Sequence, residues 1–113
     1  MKICREFTFD AAHHLENYKG KCEQLHGHTY KLEVVVEGEV KKNGMVMDFA
    51  QLKKIVEKQI IEKLDHSNLN NHTPNPTAEK IAEWIYTRLK KDIPLRSIKL
   101  WEGEGKWVKI ERK

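Results

Sequence analysis

Histidines in two short stretches carry the first suggestion of chemistry in this sequence. His26 and His28 flank Gly27 in Cys22-Glu23-Gln24-Leu25-His26-Gly27-His28-Thr29-Tyr30, and the pair His13-His14 follows Phe9-Asp10-Ala11-Ala12. Side chains of a β-strand alternate between faces, so residues i and i+2 point to the same side. At the start of a strand, His26 and His28 can therefore reach one ion, with Gly27 leaving the space between them open. If the strand before His13 pairs with the one after His26 as a hairpin, His13 or His14 lies across from them and supplies a third imidazole. Three histidines with no obvious fourth protein ligand describe a zinc site with an open position, the catalytic kind. Cys22 has two readings. As a fourth ligand it closes the site into a structural one; beside the metal it is a thiol whose pKa the positive charge lowers, giving a reactive thiolate.

Other groups are weaker alone. Asp65 next to His66 is the usual arrangement of a carboxylate orienting an imidazole, although adjacent Asp and His also form turns. Glu102 stands at a strand end beside a glycine turn, where a plain surface acid is the simpler reading. Cys4, inside a strand, reads as a small buried packing residue.

The elements that must position these groups follow from periodicity. Residues 2–9 alternate, with Ile3, Arg5, Phe7 and Phe9 on one face; residues 29–40 form a second strand with Leu32, Val34 and Val36 on one side. Asn43-Gly44 marks a turn. Asp48 caps a helix over residues 49–64, Gln51 completes a capping box, and Phe49, Leu52, Val56, Ile60 and Leu64 form its buried face. Residues 65–76 are polar and broken by prolines, which predicts a loop. Thr77 caps a second helix over residues 78–91, with Glu79 in its first turn and Lys90 and Lys91 in its last, matching the helix dipole. Two further strands surround the Gly103-Glu104-Gly105 turn. The order β-β-α-α-β-β predicts one α+β domain over residues 1–113, with two helices on one face of a mostly antiparallel sheet. A small sheet leaves its edges open, so self-association is expected.

Composition narrows the classes. The 113 residues include 34% charged and 39% apolar residues, with no run near the roughly 18 apolar residues that span a bilayer and no apolar signal core at the start. A soluble cytoplasmic protein is expected, and the two cysteines read as free thiols rather than a disulfide framework. The net charge of +4 comes from Lys and Arg spread along the chain among Glu residues, not from a basic block. That argues against a nucleic-acid stripe.

Taken in order, F-x-A-A-H, C-x-x-x-H-G-H-x-Y, M-D-F-x-x-L-K, L-D-H-x-x-L-N, N-P-T-x-E and a late strand-end Glu make the chain resemble the 6-pyruvoyltetrahydropterin synthase and 6-carboxytetrahydropterin synthase family over nearly its whole length. The resemblance implies the tunnelling fold: a four-stranded antiparallel sheet with two helices, trimers closing a barrel, and two trimers stacked as a hexamer. It implies His13, His26 and His28 as zinc ligands, Cys22 as catalytic thiol, Asp65 and His66 as a catalytic pair, and Glu102 as the acid that grips the pterin ring. Thr77 and Glu79 match the P-T-x-E motif, where substrate contact and helix capping are both explanations. The implied substrate is 7,8-dihydroneopterin triphosphate, and no organic cofactor is required.

Glu23 departs from the main pattern. With Cys22 it carries both the thiol of the main branch and the glutamate of a branch that cleaves the side chain to 6-hydroxymethyl-7,8-dihydropterin for folate synthesis. Among the family's activities, formation of 6-carboxy-5,6,7,8-tetrahydropterin for queuosine or archaeosine is expected, because so short a chain looks microbial. The alternatives are 6-pyruvoyltetrahydropterin synthesis, side-chain cleavage and, from another class, a non-catalytic zinc-stabilised oligomeric scaffold with Cys22 as fourth ligand.

Overall fold

Strands β1 (Lys2–His13) and β2 (His26–Glu37) pair antiparallel along their whole lengths, from Lys2 opposite Glu37 to His13 opposite His26. The structure is a computed structural model and describes residues 1–16, 20 and 23–113. Alternation sorts the two strands as the sequence predicts: Phe9, Tyr30, Leu32, Val34 and Val36 are buried, while Glu6, Thr8 and Asp10 face out. Burying each large apolar side chain contributes about 1.5–3 kcal/mol. Leu32→Ala would therefore cost about 2–5 kcal/mol.

Helix α1 (Phe49–Val56) starts where Asp48 accepts a hydrogen bond from the Ala50 N–H at 2.8 Å. Among the described residues Gln51 returns no bond to complete a capping box. The helix continues through a π-helical turn (Glu57–Ile61) into a last α turn (Glu62–Leu64). Its buried residues Leu52, Val56, Ile60 and Leu64 recur every fourth position. In a regular helix of about 3.6 residues per turn such a row drifts around the axis by about 40° per step. The wider turn, in which the Glu62 N–H reaches the Glu57 carbonyl, takes up part of that drift and keeps the row facing the sheet. Phe49, expected in the row, is 52% exposed. It belongs to the first turn, where it lines a shallow pocket with Met1, Ile3 and Met45 at the end of the sheet.

Residues 65–76 are not all loop. Ser67–Asn68 form a short strand, β3, parallel to Ala11 and Ala12 of β1, followed by a 3-10 turn at Leu69–Asn71. Helix α2 (Ala78–Leu89) is capped by Thr77, whose hydroxyl accepts from the Lys80 N–H at 3.2 Å, and buries Ile81, Ala82, Ile85 and Leu89. It ends before Lys90 and Lys91. Strands β4 (Leu95–Glu102) and β5 (Trp107–Glu111) complete the chain, joined by a turn in which Gly103 and Gly105 have φ of 75° and 81°, the region that favours glycine.

Among the described residues, five strands form one sheet in the order β3-β1-β2-β4-β5, so the expected four-stranded sheet gains a short parallel edge. Side chains from both helices and the inner face of the sheet form the core, including Leu52, Ile60, Ile81, Ile85, Ile98 and Leu100. The outer face is polar and aromatic: Lys99 lies over the Trp101 and Trp107 rings, and Lys31 lies over Trp101. Cys4, expected to be buried, is exposed there because it falls on the outward phase of β1. Partial desolvation, with Glu33 and Glu6 nearby, pushes its thiol up to about 11, which keeps it protonated and unreactive.

Candidate metal centre

The pairing that sets His13 opposite His26 also sets Ala11 opposite His28, so all three imidazoles stand on the inner face at one end of the sheet. Their ligand atoms lie within 4.8 Å of one another. The ring centroids are 4.6 Å (His13–His26), 4.8 Å (His26–His28) and 5.1 Å (His13–His28) apart.

Two backbone carbonyls decide which nitrogens face inward. The Nδ1–H of His13 donates to the Pro76 carbonyl at 2.7 Å, and that of His26 donates to the Gln24 carbonyl at 2.7 Å. A carbonyl only accepts, so each ring carries its proton on Nδ1 and turns an Nε2 lone pair into the cluster. The Nε2 atoms of His13 and His26 are then only 3.1 Å apart, lone pair against lone pair. The buried Nε2 of His28 has no hydrogen-bond partner among the described residues. A cation between the three nitrogens removes both difficulties. Burial is the main cause that lowers the pKa of His28; His13, His26 and Lys106 add to it and Glu102 opposes it. The ring is therefore neutral, as a ligand must be, at neutral pH.

Glu102 borders the cluster. Its carboxylate lies 3.8 Å from His28 Nε2 and 4.0 Å from His13 Nε2. Tyr30, paired with Glu102 across the strands, is fully buried beneath the site and stacked on Phe9, and burial holds its hydroxyl protonated.

His14 takes no part in the cluster. Asn70 clamps its backbone, accepting from the His14 N–H at 2.9 Å and donating to the His14 carbonyl at 3.1 Å. Gly27 has a different role from the one expected. Among the described residues a Cβ there would meet only the Ala11 carbonyl, at 3.5 Å, an ordinary contact, and strand alternation directs it away from the imidazoles. The space between the histidines comes from the pleat.

The Asp65–His66 pair forms a second cluster with Asp10. Asp65 accepts from the Asp10 N–H at 2.9 Å and lies 3.2 Å from His66 Nδ1, while the His66 N–H donates to the Asp10 carbonyl at 2.6 Å. The Asp10 N–H is the main cause that holds the Asp65 carboxyl below its ordinary pKa; desolvation opposes it and the His66 interactions add to it. These bonds keep His66 at φ 58°, a left-handed conformation that costs a non-glycine residue about 1–3 kcal/mol. The Asp10 side chain bonds Thr29 on the outer face, one residue out of phase with Ala11 and His28. Within one chain, the pair and the histidine cluster thus belong to opposite faces of β1.

A model of the 6-pyruvoyl tetrahydropterin synthase family matches residues 2–113. The chain belongs to this family. In sequence it is 48% identical to the dihydroneopterin monophosphate aldolase of Pyrococcus furiosus, over 97% of this chain and 96% of that protein. It is 40% identical to the 6-carboxy-5,6,7,8-tetrahydropterin synthase of Haemophilus influenzae, over 89% and 92%. The structure of the Caenorhabditis elegans 6-pyruvoyl tetrahydropterin synthase superposes with a TM-score of 0.89 at 29% identity, covering 100% of this chain and 96% of that one. The pterin synthase fold is therefore common to the two, with the fifth short strand present here.

Among the other residues singled out in this pterin synthase-family chain, Cys22 lies outside the described residues. Glu23 is exposed, and its N–H donates to the Gly20 carbonyl at 3.2 Å. It immediately precedes Gln24, whose carbonyl orients His26. Thr77 is engaged as a helix cap, and Glu79 is exposed in the first turn. Sequence reasoning missed the Pro76 and Gln24 carbonyls and the Asn70 clamp. Pro76 and Asn70 stand within the N-P-T-x-E and L-D-H-x-x-L-N stretches, but a backbone carbonyl leaves no side-chain signal. Among the described residues no helix is long and apolar enough to cross a membrane.

Proposed function

We propose that this chain is a zinc-dependent cytoplasmic enzyme of pterin metabolism that cleaves the side chain of a phosphorylated 7,8-dihydroneopterin, releasing 6-hydroxymethyl-7,8-dihydropterin and phosphorylated glycolaldehyde. The likeness to the Pyrococcus aldolase, 48% identity over nearly all of both chains, carries this choice among the family's activities. The glutamate that follows Cys22, one residue before the carbonyl that orients His26, supports it.

His13, His26 and His28 would hold zinc, which as a Lewis acid acidifies the hydroxyls of the substrate side chain. The Glu102 carboxylate can accept two parallel hydrogen bonds from the amino group and adjacent N–H of the pterin ring. Glu23 or the Cys22 thiolate takes the proton of the C2′ hydroxyl. The C1′–C2′ bond then breaks, C2′ leaves as an aldehyde, and the electron pair passes into the conjugated ring through C6. His66, oriented by Asp65, returns a proton to C1′. Because the Asp65–His66 pair lies on the face of β1 opposite the triad, we place that pair in a neighbouring copy's site, within a homo-oligomer of the hexameric kind the family resemblance implies. Thr77 and Glu79 act through the helix cap and its first turn.

Formation of 6-carboxy-5,6,7,8-tetrahydropterin from the triphosphate is the second reading. It is favoured by Cys22 within C-x-x-x-H-G-H and by the 40% identity to the Haemophilus synthase. Zinc-loaded protein incubated with 7,8-dihydroneopterin monophosphate or triphosphate, with products resolved by mass spectrometry, separates the readings. The aldolase reading expects 6-hydroxymethyl-7,8-dihydropterin, lost in whichever of Glu23→Ala and Cys22→Ala removes the base. If 6-carboxytetrahydropterin and acetaldehyde form and depend on Cys22, the synthase reading replaces it; a 6-pyruvoyl product assigns the third family activity. With no product from any substrate, and zinc released by Cys22→Ser, the chain is a zinc-stabilised scaffold.

A further inference from the structure

The metal reading leaves Glu102 with two claims on it. As the ring-gripping acid its carboxylate should face the substrate, yet here it spans two members of the triad, Oε1 at 3.8 Å from His28 Nε2 and Oε2 at 4.0 Å from His13 Nε2. Neither distance is a hydrogen bond, so the carboxylate stands beside two ring nitrogens without bonding either. A metal bound by three nitrogens at about 2.0–2.1 Å has neighbouring donors separated by about 3.3 Å in a tetrahedron. The His13–His26 separation of 3.1 Å already fits that edge, and Glu102 needs to close by less than about 1 Å on each of its two histidines. Glu102 also reaches the cluster from a different strand: His13 comes from β1, His26 and His28 from β2, and Glu102 from the end of β4. Its Cα pairs with Tyr30, two residues beyond His28 on the same face. The Gly103-Glu104-Gly105 turn follows it directly, and its side chain is 22% exposed.

Resting on the metal reading above, we propose that Glu102 is a displaceable fourth ligand of the metal in the substrate-free protein, and that the pterin ring draws it away. The carboxylate has two competing partners, the cation and the N–H groups of the ring. A ligand that offers those N–H groups opens the metal's fourth position as it docks. A small anion that lacks them must displace a carboxylate already held on the protein. The metal thus becomes available to a side-chain hydroxyl when a pterin is seated, which favours the proper substrate over free phosphate and carboxylate anions.

Cobalt(II) serves as the probe, because its visible absorption reports coordination directly. The full chain is stripped of metal and titrated with Co2+ as wild type, Glu102→Gln, Glu102→Ala and, as a control for the triad, His28→Ala. The wild type should bind Co2+ at least about tenfold more tightly than either Glu102 variant, with a different visible spectrum. Acetate should restore the wild-type spectrum to Glu102→Ala while leaving the wild type unchanged. Neopterin added to the wild type should shift its spectrum away from the resting form. If the Glu102 variants match the wild type in affinity and spectrum while His28→Ala loses the metal, the fourth-ligand proposal falls and the triad reading stands. If the wild type takes up no Co2+, or takes it up as well as His28→Ala does, the metal reading fails and this proposal with it.

Discussion

The two histidine-containing clusters make opposite use of the same strand. His13 is 1% exposed, with Nδ1 tied to a carbonyl and Nε2 crowded against a second histidine, whereas His66 is 80% exposed and held by its backbone and one carboxylate. The first arrangement is costly without a cation, because buried nitrogen lone pairs face one another. The second is satisfied as it stands and leaves an imidazole free to exchange a proton. In the proposed function, burial and carbonyl partners suit the first cluster to a cation, and exposure beside a carboxylate suits the second to carrying a proton.

The sharpest test of that division removes one member of each cluster. His28→Ala should abolish stoichiometric metal binding, measured by elemental analysis, and lower turnover by at least about a thousandfold. A Lewis acid contributes several kcal/mol to such a step, and each 1.36 kcal/mol is about tenfold. His66→Ala should keep its full metal content and lose about a hundredfold in turnover, the usual scale of a positioned acid or base. Equal metal loss in both variants would break the comparison. Mixing the two inactive proteins after dissociation and reassembly should restore part of the activity if one copy's triad works with its neighbour's His66; no recovery would assign both clusters to separate work.

A smaller effect separates the clusters by pH. The Asp65 carboxyl is held below its ordinary value in the folded protein, so its contribution to stability is present above the ordinary carboxylate pKa and is lost as pH falls through the folded-state pKa. Denaturant unfolding should show Asp65→Asn less stable than wild type at pH 7, with the gap closing in acid below the ordinary carboxylate pKa. A gap that persists unchanged in acid would mean that the carboxylate charge contributes nothing. The smallest change should come from Gly27→Ala, because among the described residues its Cβ meets only a carbonyl at ordinary distance. Metal affinity should shift by less than about threefold, within the scale of a minor packing change. A tenfold loss would restore the idea that Gly27 clears space for the imidazoles.

Much of this was legible in the chain because it depends on neighbours in sequence. Alternation put Leu32, Val34 and Val36 in the core and His26 and His28 on one face, and the caps at Asp48 and Thr77 formed where a short polar side chain precedes an amphipathic run. Phe49 has the right spacing and the wrong surroundings: periodicity says which way a side chain points, not whether anything covers it there. Cys4 shows the same limit, since a strand position is buried only when its face is.

By itself, the sequence determined the chemical inventory, the histidine pairs, the adjacent Asp65 and His66, the late Glu102, and the order of the main strands and helices. Tertiary structure alone decided how that inventory is divided. Strand register and the Asn70 clamp turned His13 rather than His14 toward the cluster, the Pro76 carbonyl 63 residues away set the His13 tautomer, and Asp10 reached across 55 residues to hold Asp65 on the opposite face. Local rules act through a few bonds of chain and can be read along it. The partners of a buried nitrogen or carboxylate come from wherever folding brings a backbone group, and a backbone group has no letter of its own.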